Sequence, residues 1–510
     1  MTSWYNTKNK WDVPFKRWYL SKAEMEFDDS VNQVKMFTLA KTPSELIVLN
    51  YNPSLRNFMH RQGIYQVPYQ NVFDDLQGIK TNFMRKISFR DLNWPKGVDF
   101  RYSLFNVWAY MNDEVIAYVE FNVEGNLELI TWQASGYKER EYLFDDRGFL
   151  SSIRYYTKAE KLWYQDYFNL AGQRQFRQYF DGQGVEIFGQ ADYDFAKKHY
   201  HDMDEVIAEW VENFKQDNLQ DTDTLVVTAN EAHNDFFVGQ VTSKLVLSFF
   251  NKRYDLSNPN LKQLVTQADL VVAASHSDAS KLRQLKTDTQ VVEVTPFDTR
   301  LETGKSQQTA NLKVLYWVGT QTDEQLNQIL ESLFILLDEF PKMVLTFASY
   351  QNDEKKVANL VTSYIVNNHL EEKYKFGEES IDPTDVEKLE EQKKAKIRTI
   401  RFLEVSSERV LVSELEFTRL IVDLNDEPDL FLQIAGISAG IPQINRVSSV
   451  YIEHQKNGLV ITDLSGLTKA VEYYLQELKN WNNAMMHAVN KIANYTSGKL
   501  VAKWKELLGE

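Results

Sequence analysis

The chain has 510 residues, 43% hydrophobic and 25% charged, with a formal charge of −15 and no cysteine. One core stops growing at roughly 250 to 300 residues, so two or three domains are expected; no run approaches the ~20 apolar residues of a membrane span, and the acidity opposes binding nucleic acid by phosphate neutralisation. Disulfides and thiolate chemistry are excluded, and eight scattered histidines show no metal-ligand spacing, so neither metal nor cofactor is expected.

In chain order, Met1-Thr2-Ser3-Trp4-Tyr5-Asn6 leads into polar and aromatic sequence without the apolar centre of a secretory signal, which predicts a cytoplasmic protein. Residues 27–37 place Phe27, Val31 and Val34 on one helical face, and 45–50 followed by 55–62 read as a βα unit ending at Gly63. From residue 98 the period shortens to alternating runs at 105–111, 115–123, 127–134, 139–144, 150–156 and 185–188, with Asn, Asp and Gly between them. That is an antiparallel meander, bounded as an all-β insertion over 96–192. Helical period returns at 203–214. Segments 224–228, 244–249, 268–274 and 290–294 are apolar on both faces, as strands of a helix-covered parallel sheet are. Residues 1–95 and 193–310 are thus two parts of one Rossmann-like lobe.

The polar stretch 303–311 reads as a linker, and residues 311–480 as a second Rossmann-like lobe. Its strands are expected at 313–318, 343–348, 397–402 and 419–423, with shorter ones near 442–444 and 458–461 and a helix at 324–340. The charged run 371–396 fits a solvated helix face. Residues 481–510 predict a C-terminal helix returning to the first lobe. The fold class is α/β, two Rossmann-like lobes with an antiparallel all-β insertion in the first.

Doubly wound lobes bind ligands at the carboxyl ends of their strands. There the second lobe carries Asp426-Glu427-Pro428-Asp429 and then Ala435-Gly436-Ile437-Ser438-Ala439-Gly440-Ile441-Pro442. This resembles the nucleotide-sugar motif of retaining GT-B glycosyltransferases: a Glu, seven intervening residues, a second Glu, small residues and Gly-x-Pro. Asn457-Gly458-Leu459-Val460 looks like the Asn-Gly turn of those enzymes, and Val318-Gly319 falls where their phosphate-facing glycine lies. The resemblance implies a GT-B arrangement of the lobes. Glu427 matches the first Glu, but the second position is Ala435, which accepts no hydrogen bond from a ribose hydroxyl. After Gly319 the family supplies Arg and Lys; here Thr320-Gln321-Thr322-Asp323-Glu324 supplies no cation and two acids. Stabilisation of a departing nucleotide is missing, which implies a pseudo-glycosyltransferase with no catalytic residue. The vestigial ligand-binding candidates are Glu427, Gly319, Ser438 and His233. His233 follows strand 224–228, toward the crevice, or else is a loop histidine bonded locally. An active retaining glycosyltransferase acting on a protein or glycan acceptor is the alternative.

Three bland readings complete the motifs. Asp145-Asp146-Arg147-Gly148 reads as a hairpin turn, since adjacent carboxylates there point apart. Trp94, Trp108, Trp132, Trp163 and Tyr164 suit core packing or, if exposed, sugar stacking. Gly304-Lys305-Ser306 lacks the glycine five residues earlier, at Thr299, that a phosphate loop requires.

A narrower resemblance is carried by Ser3-Trp4-Tyr5, Glu26-Phe27-Asp28-Asp29-Ser30-Val31, Leu49-Asn50-Tyr51-Asn52-Pro53-Ser54-Leu55-Arg56, His60-Arg61-Gln62-Gly63-Ile64 and Phe144-Asp145-Asp146-Arg147-Gly148-Phe149-Leu150. Together these are similar to the first accessory secretory protein family of the accessory Sec system of Gram-positive bacteria. The resemblance implies a noncatalytic component that assembles with the second and third accessory secretory proteins. It also implies support for export of serine-rich repeat glycoprotein adhesins through the accessory Sec ATPase and translocon. Binding of the cargo glycan, and a peripheral place at the inner face of the cell membrane through partners, are left open by it. The insertion, with its edge strands and aromatics, is expected to contact partners.

Overall fold

The computed structural model describes residues 10–12, 29–189, 191–238, 243–250, 253–299, 304–350, 353–377, 397–405 and 407–509. Ser3-Trp4-Tyr5, Glu26-Phe27-Asp28 and most of the charged run 371–396 lie outside them. Two compact units emerge, one mainly from Ser30–Val272 and Leu285–Val291, the other mainly from Ala273–Gln284 and Val292–Glu510.

In the first unit, β1 (Leu46–Val48) pairs in parallel with β2 (Tyr69–Asn71) across the helix Leu55–Arg61. Val48, Leu55, Phe58 and Met59 close a small core with Val31 and Val34 of the helix Asp29–Leu39. A ten-stranded sheet follows: β3 (Asp99–Tyr102), β4 (Asn106–Met111), β5 (Glu114–Phe121), β6 (Leu127–Ala134), β7 (Tyr137–Asp145), β8 (Phe149–Tyr156), β9 (Leu162–Phe168), β10 (Arg174–Tyr179), β11 (Val185–Ile187) and β12 (His199–Tyr200). Each strand is antiparallel to the next, and β3 and β12 are the edges. Asn112 and Asp113 both take positive φ, the backbone a two-residue hairpin loop demands.

The sheet changes character along its width. Around β4 to β7 one face is apolar, with Ala109, Ala117, Val119 and Ile130 packed under Phe89. From β8 onward much of the buried surface is polar: Tyr51 Oη bonds Ser151 Oγ (2.9 Å) and Ser152 Oγ (2.8 Å), and Gln77 Nε2 donates to the carbonyls of Ser151 (2.9 Å) and Phe168 (2.6 Å). Gln165, Asp166, Gln175 and Gln178 are buried, so β9 and β10 lack the apolar alternation that marks a strand in sequence.

The turn Asp145-Asp146-Arg147-Gly148 anchors this sheet to the helices before it. Arg56 donates from Nε to Asp146 (2.5 Å) and from Nη2 to Asp145 (2.8 Å), while Arg147 binds Asp145 (2.7 Å) and Asp74 (2.6 Å). Burial pushes Asp145 up, but the charges of Arg56 and Arg147 outweigh it and hold the carboxyl below its ordinary range. Gly148 sits at φ +85°, and a Cβ there would lie 1.6 Å from the carbonyl oxygen of Arg85.

A four-stranded sheet runs β13 (Thr224–Thr228), β14 (Lys244–Phe249), β15 (Leu270–Ala273), β16 (Gln290–Glu293), with β13 and β14 parallel. The second unit holds a parallel sheet of seven: β17 (Leu312–Trp317), β18 (Met343–Ser349), β19 (Tyr374–Phe376), β20 (Arg398–Glu404), β21 (Thr418–Asp423), β22 (Gln443–Asn445) and β23 (Gly458–Val460). The order β19-β20-β18-β17-β21-β22-β23 is the doubly wound one, with its reversal between β17 and β21. The helix Asp323–Glu339 covers it with Leu326, Ile329, Leu330, Leu333 and Leu337 on its buried face. The charged run opens as strand β19 at 374–376 rather than as helix. Of the linker, Gly304 and Lys305 donate their amides to the carbonyls of Ala439 and Glu416, fastening this segment to the second unit. The helix Ser497–Leu508 groups with that unit too. Its Lys503 reaches the carbonyl of Glu293 (2.8 Å), and Thr299 donates to the carbonyl of Tyr495 (2.9 Å), so its neighbours are residues that the sequence reading gave to the end of the first lobe.

Two glycine substitutions test the anchor. Gly125 and Gly148 share positive φ, but nothing lies within 4 Å of a Cβ at Gly125. Gly125→Ala should cost only the left-handed backbone penalty of about 1–2 kcal/mol. Gly148→Ala should lower the urea midpoint far more; equal midpoints would show that the approach of Arg85 does not limit stability.

Candidate functional site

The strand order reverses between β17 and β21, where ligands of doubly wound sheets bind, and two loops leave the strand ends there. The loop after β17 starts at Val318-Gly319, and the loop after β21 runs from Leu424 to Asp429, the N-cap of the helix Leu430–Ala439. A Cβ on Gly319 would lie 2.0 Å from Asn425 Oδ1, so glycine is required here to admit an asparagine of the protein itself. Asn425 Oδ1 accepts from the amide of Thr320 (2.8 Å), and its Nδ2 donates to Asp423 Oδ1 (2.7 Å).

Other amides of the first loop are matched internally as well. Gly319 N–H donates to Gln321 Oε1 (2.8 Å). Thr322 and Gln325 form a capping box at the start of Asp323–Glu339, Thr322 N–H to Gln325 Oε1 (3.0 Å) and Gln325 N–H to Thr322 Oγ1 (3.2 Å). A helix N-terminus attracts an anion through unmatched amides and its dipole; here side chains take the amides of Gly319, Thr320 and Thr322 in the loop and of Gln325 in the first turn, which Asp323 and Glu324 also occupy. The Nε2 of Gln321 is buried without a partner, one neutral donor where a diphosphate needs charged ones.

Three cations come from elsewhere in the chain, where a motif reading finds none, and each pairs with an acid of these loops. Lys356 meets Asp323 (3.2 Å), Arg446 meets Asp426 (3.4 Å) and Lys281 meets Glu427 (3.5 Å). Beneath them are two buried carboxyls. Asp423 accepts from the amides of Asn425 (3.1 Å) and Asp429 (2.8 Å), and Asp429 accepts from Tyr350 Oη (2.9 Å) and the amide of Leu432 (2.7 Å). Burial pushes Asp423 up to about 7 and Asp429 up to about 6, because their neighbours are neutral donors and not cations.

The four expected residues have separate settings. Gly319 faces Asn425. Glu427 is exposed, 3.5 Å from Ser277 Oγ as well as from Lys281. Ser438 donates to the carbonyl of Ile434 four residues back (3.0 Å) and lines a cavity of about 450 Å³ with Phe431, Ile434 and Ala435. A methyl group therefore stands in that wall where the motif would place its second Glu; Glu427 is not part of the lining. His233, in the first unit, has its ring buried and donates from Nε2 to the carbonyl of Thr228 (2.7 Å). Burial drives its pKa down to about 3, so it is a neutral histidine holding the turn after β13. Among the described residues no cluster of three His, Asp or Glu is placed to hold a metal ion. The aromatics read as core packing or, if exposed, sugar stacking are largely packed: Trp94 on Trp132 (4.8 Å) and Phe100, Trp108 edge-on to Tyr118 (5.2 Å), Tyr164 on Tyr155 (4.6 Å); Trp163 stays half exposed.

Comparison with known proteins places this arrangement. Residues 1–510 match the accessory Sec system protein family, that of the first accessory secretory protein. The chain belongs to that family. The corresponding accessory Sec system protein of Streptococcus gordonii is 34% identical over all of this chain and 98% of its own. A crystal structure of accessory secretory proteins 1, 2 and 3 of Streptococcus pneumoniae contains a chain 29% identical, with a TM-score of 0.79 over 99% of this chain and 98% of that one. The pneumococcal O-GlcNAc transferase GtfA, solved with UDP and GlcNAc, shares the fold at 11% identity, TM-score 0.68, over 98% of this chain and 99% of its own. The architecture is that of GT-B glycosyltransferases, with a ten-stranded antiparallel sheet in the first half of the chain.

The two raised carboxyls make the second unit pH-sensitive in a stated direction. Their protons are held more tightly folded than unfolded, so the stability they contribute is fully present below about pH 4 and is lost as pH rises through about 6 to 7. Asp423→Asn removes the larger of these. Its destabilisation relative to the parent should be larger at pH 5 than at pH 7.5 in urea unfolding; a gap that widens with pH would contradict the assignment.

Proposed function

We propose that this chain is a noncatalytic GT-B-like component of the accessory Sec complex. It works with accessory secretory proteins 2 and 3 to support export of serine-rich repeat glycoprotein adhesins through the accessory Sec ATPase and translocon. The observation that carries the noncatalytic part is the closed loop after β17: Asn425 fills the face of Gly319, and side chains of Gln321, Asn425, Gln325 and Thr322 take the amides of Gly319, Thr320, Thr322 and Gln325. Electrostatic stabilisation of a leaving nucleotide is usually the largest catalytic contribution in such sites, and it needs those donors together with unpaired cations. Ala435 removes the ribose contact independently.

Assembly is supported by kinship with the S. pneumoniae protein that was crystallised together with accessory secretory proteins 2 and 3. Among the described residues no helix is long and apolar enough to cross a membrane, which accords with a cytoplasmic component reaching the membrane through partners. Binding of the cargo glycan belongs to the same proposal only as an activity of the assembled complex.

Calorimetry with a panel of nucleotide sugars should give no binding and no turnover. Ala435→Glu alone should not restore either, because the loop after β17 stays closed. Micromolar binding by the parent protein, with turnover abolished in Glu427→Ala, would establish the enzyme reading instead.

A further inference from the structure

The two edges of the ten-stranded sheet are finished differently. β12 is two residues long, Tyr200 is buried, and the helix Met203–Asp217 follows at once. β3 is longer and ends in a turn of exposed apolar side chains, with Tyr102 59%, Leu104 91% and Phe105 44% exposed. An edge of this kind is a template for another strand unless something covers it.

Its hydrogen-bond pattern defines which groups face outward. Ser103 N–H donates to the carbonyl of Asn106 (2.9 Å), which makes 103 and 106 a bonded pair. In an antiparallel ladder bonded and non-bonded pairs alternate. Tyr102↔Val107 and Phe100↔Ala109 are therefore non-bonded pairs, and the N–H and C=O of Phe100 and Tyr102 point away from β4.

The surroundings of this edge are basic in an acidic protein. Between residues 80 and 105 there are six basic residues and two acidic ones, against −15 for the whole chain. Arg85, Lys86, Arg90 and Lys96 are exposed, and Arg90 donates to Tyr102 Oη (3.1 Å) at the end of β3. The same segment lays Phe89 and Trp94 on the apolar face of the sheet, so the charges are held beside the strand by buried anchors.

We infer that β3 docks an extended segment of a partner protein as an eleventh strand, the segment carrying acidic residues toward Arg90 and Lys96 and apolar ones toward Leu104 and Phe105. The backbone of Phe100 and Tyr102 supplies the pairing, the apolar turn supplies contact area, and charge selects the partner. This rests on the assembly reading above and names the surface it uses.

The test is co-expression with accessory secretory proteins 2 and 3, purification through a tag on one partner, and measurement of how much of this chain is retained. Tyr102→Pro deletes an outward N–H and leaves the β3–β4 ladder intact, as edge positions tolerate. Leu104→Glu with Phe105→Glu removes the apolar turn, and Arg90→Glu with Lys96→Glu reverses the local charge. Each should cut retention at least tenfold while the urea midpoint stays at that of the parent. Hydrogen exchange on the wild-type complex needs no variant: the amides of Phe100 and Tyr102 should slow at least tenfold on assembly while that of Arg101, already in the ladder, changes little. A parent complex that forms while the variants are retained equally and those amides stay fast overturns the docking edge and leaves the assembly reading standing. A parent chain that recovers neither partner overturns the assembly reading, and the edge with it.

Discussion

A charge taken out of water must be met by an opposite charge and by enough hydrogen bonds, or it costs several kcal/mol. In the first unit that requirement is discharged at one turn. Arg56 and Arg147 share Asp74 and Asp145, Arg56 also binds Asp146, and the amide of Asn57 completes Asp146 (2.9 Å). Three segments meet there: the helix Leu55–Arg61, the short helix Val72–Leu76 and the hairpin between β7 and β8. An apolar core could join them as firmly, but it would not select one register. Five charged side chains with fixed donor and acceptor geometry do, and the glycine at 148 lets the backbone of Arg85 close over them.

The same accounting explains why the strand ends of the second unit read as a site that has been filled from within. Doubly wound sheets leave amides at the reversal of strand order because two loops diverge there, and ligands usually satisfy them. Here Asn425 reaches across from the loop after β21 and takes the amide of Thr320, while Asp423 below holds Asn425 in place. Asp423 pays for that role with a costly burial near neutral surroundings, which its raised pKa records. A carboxyl placed to orient an asparagine is a structural device, and no substrate is needed to account for it.

Much of this was legible in the sequence and some was not, for identifiable reasons. The parallel strands of the second unit are apolar on both faces and were found nearly at their bounds; β4 to β8 alternate cleanly under turn residues. β9 and β10 were missed because Gln165, Asp166, Gln175 and Gln178 put polar side chains on a buried face. β19 was hidden in a charged run, where Tyr374 alone is buried. At the site, the absence of a carboxylate at 435 and of cations after 319 could be read directly. Asn425 could not, since its partner lies 105 residues away and no local pattern distinguishes it from a loop asparagine. The cations Lys281, Lys356 and Arg446 escaped for the same reason, each set near its acid by tertiary structure.

Fold and chemistry therefore separate at the level of single atoms. Keeping a GT-B framework requires the hydrophobic faces and the strand order, which tolerate wide change in sequence; catalysis on it requires a few unmatched donors and charges at the reversal point, which are expensive to keep and easily lost. Here side chains take several of those donors, so the loop after β17 meets its hydrogen bonds within the protein. Elsewhere the chain sets an exposed Leu104 beside a sheet edge, among basic residues in an acidic sequence. On the proposed reading the framework is kept for what it binds, and the edge strand β3 is the surface that reading assigns to a partner.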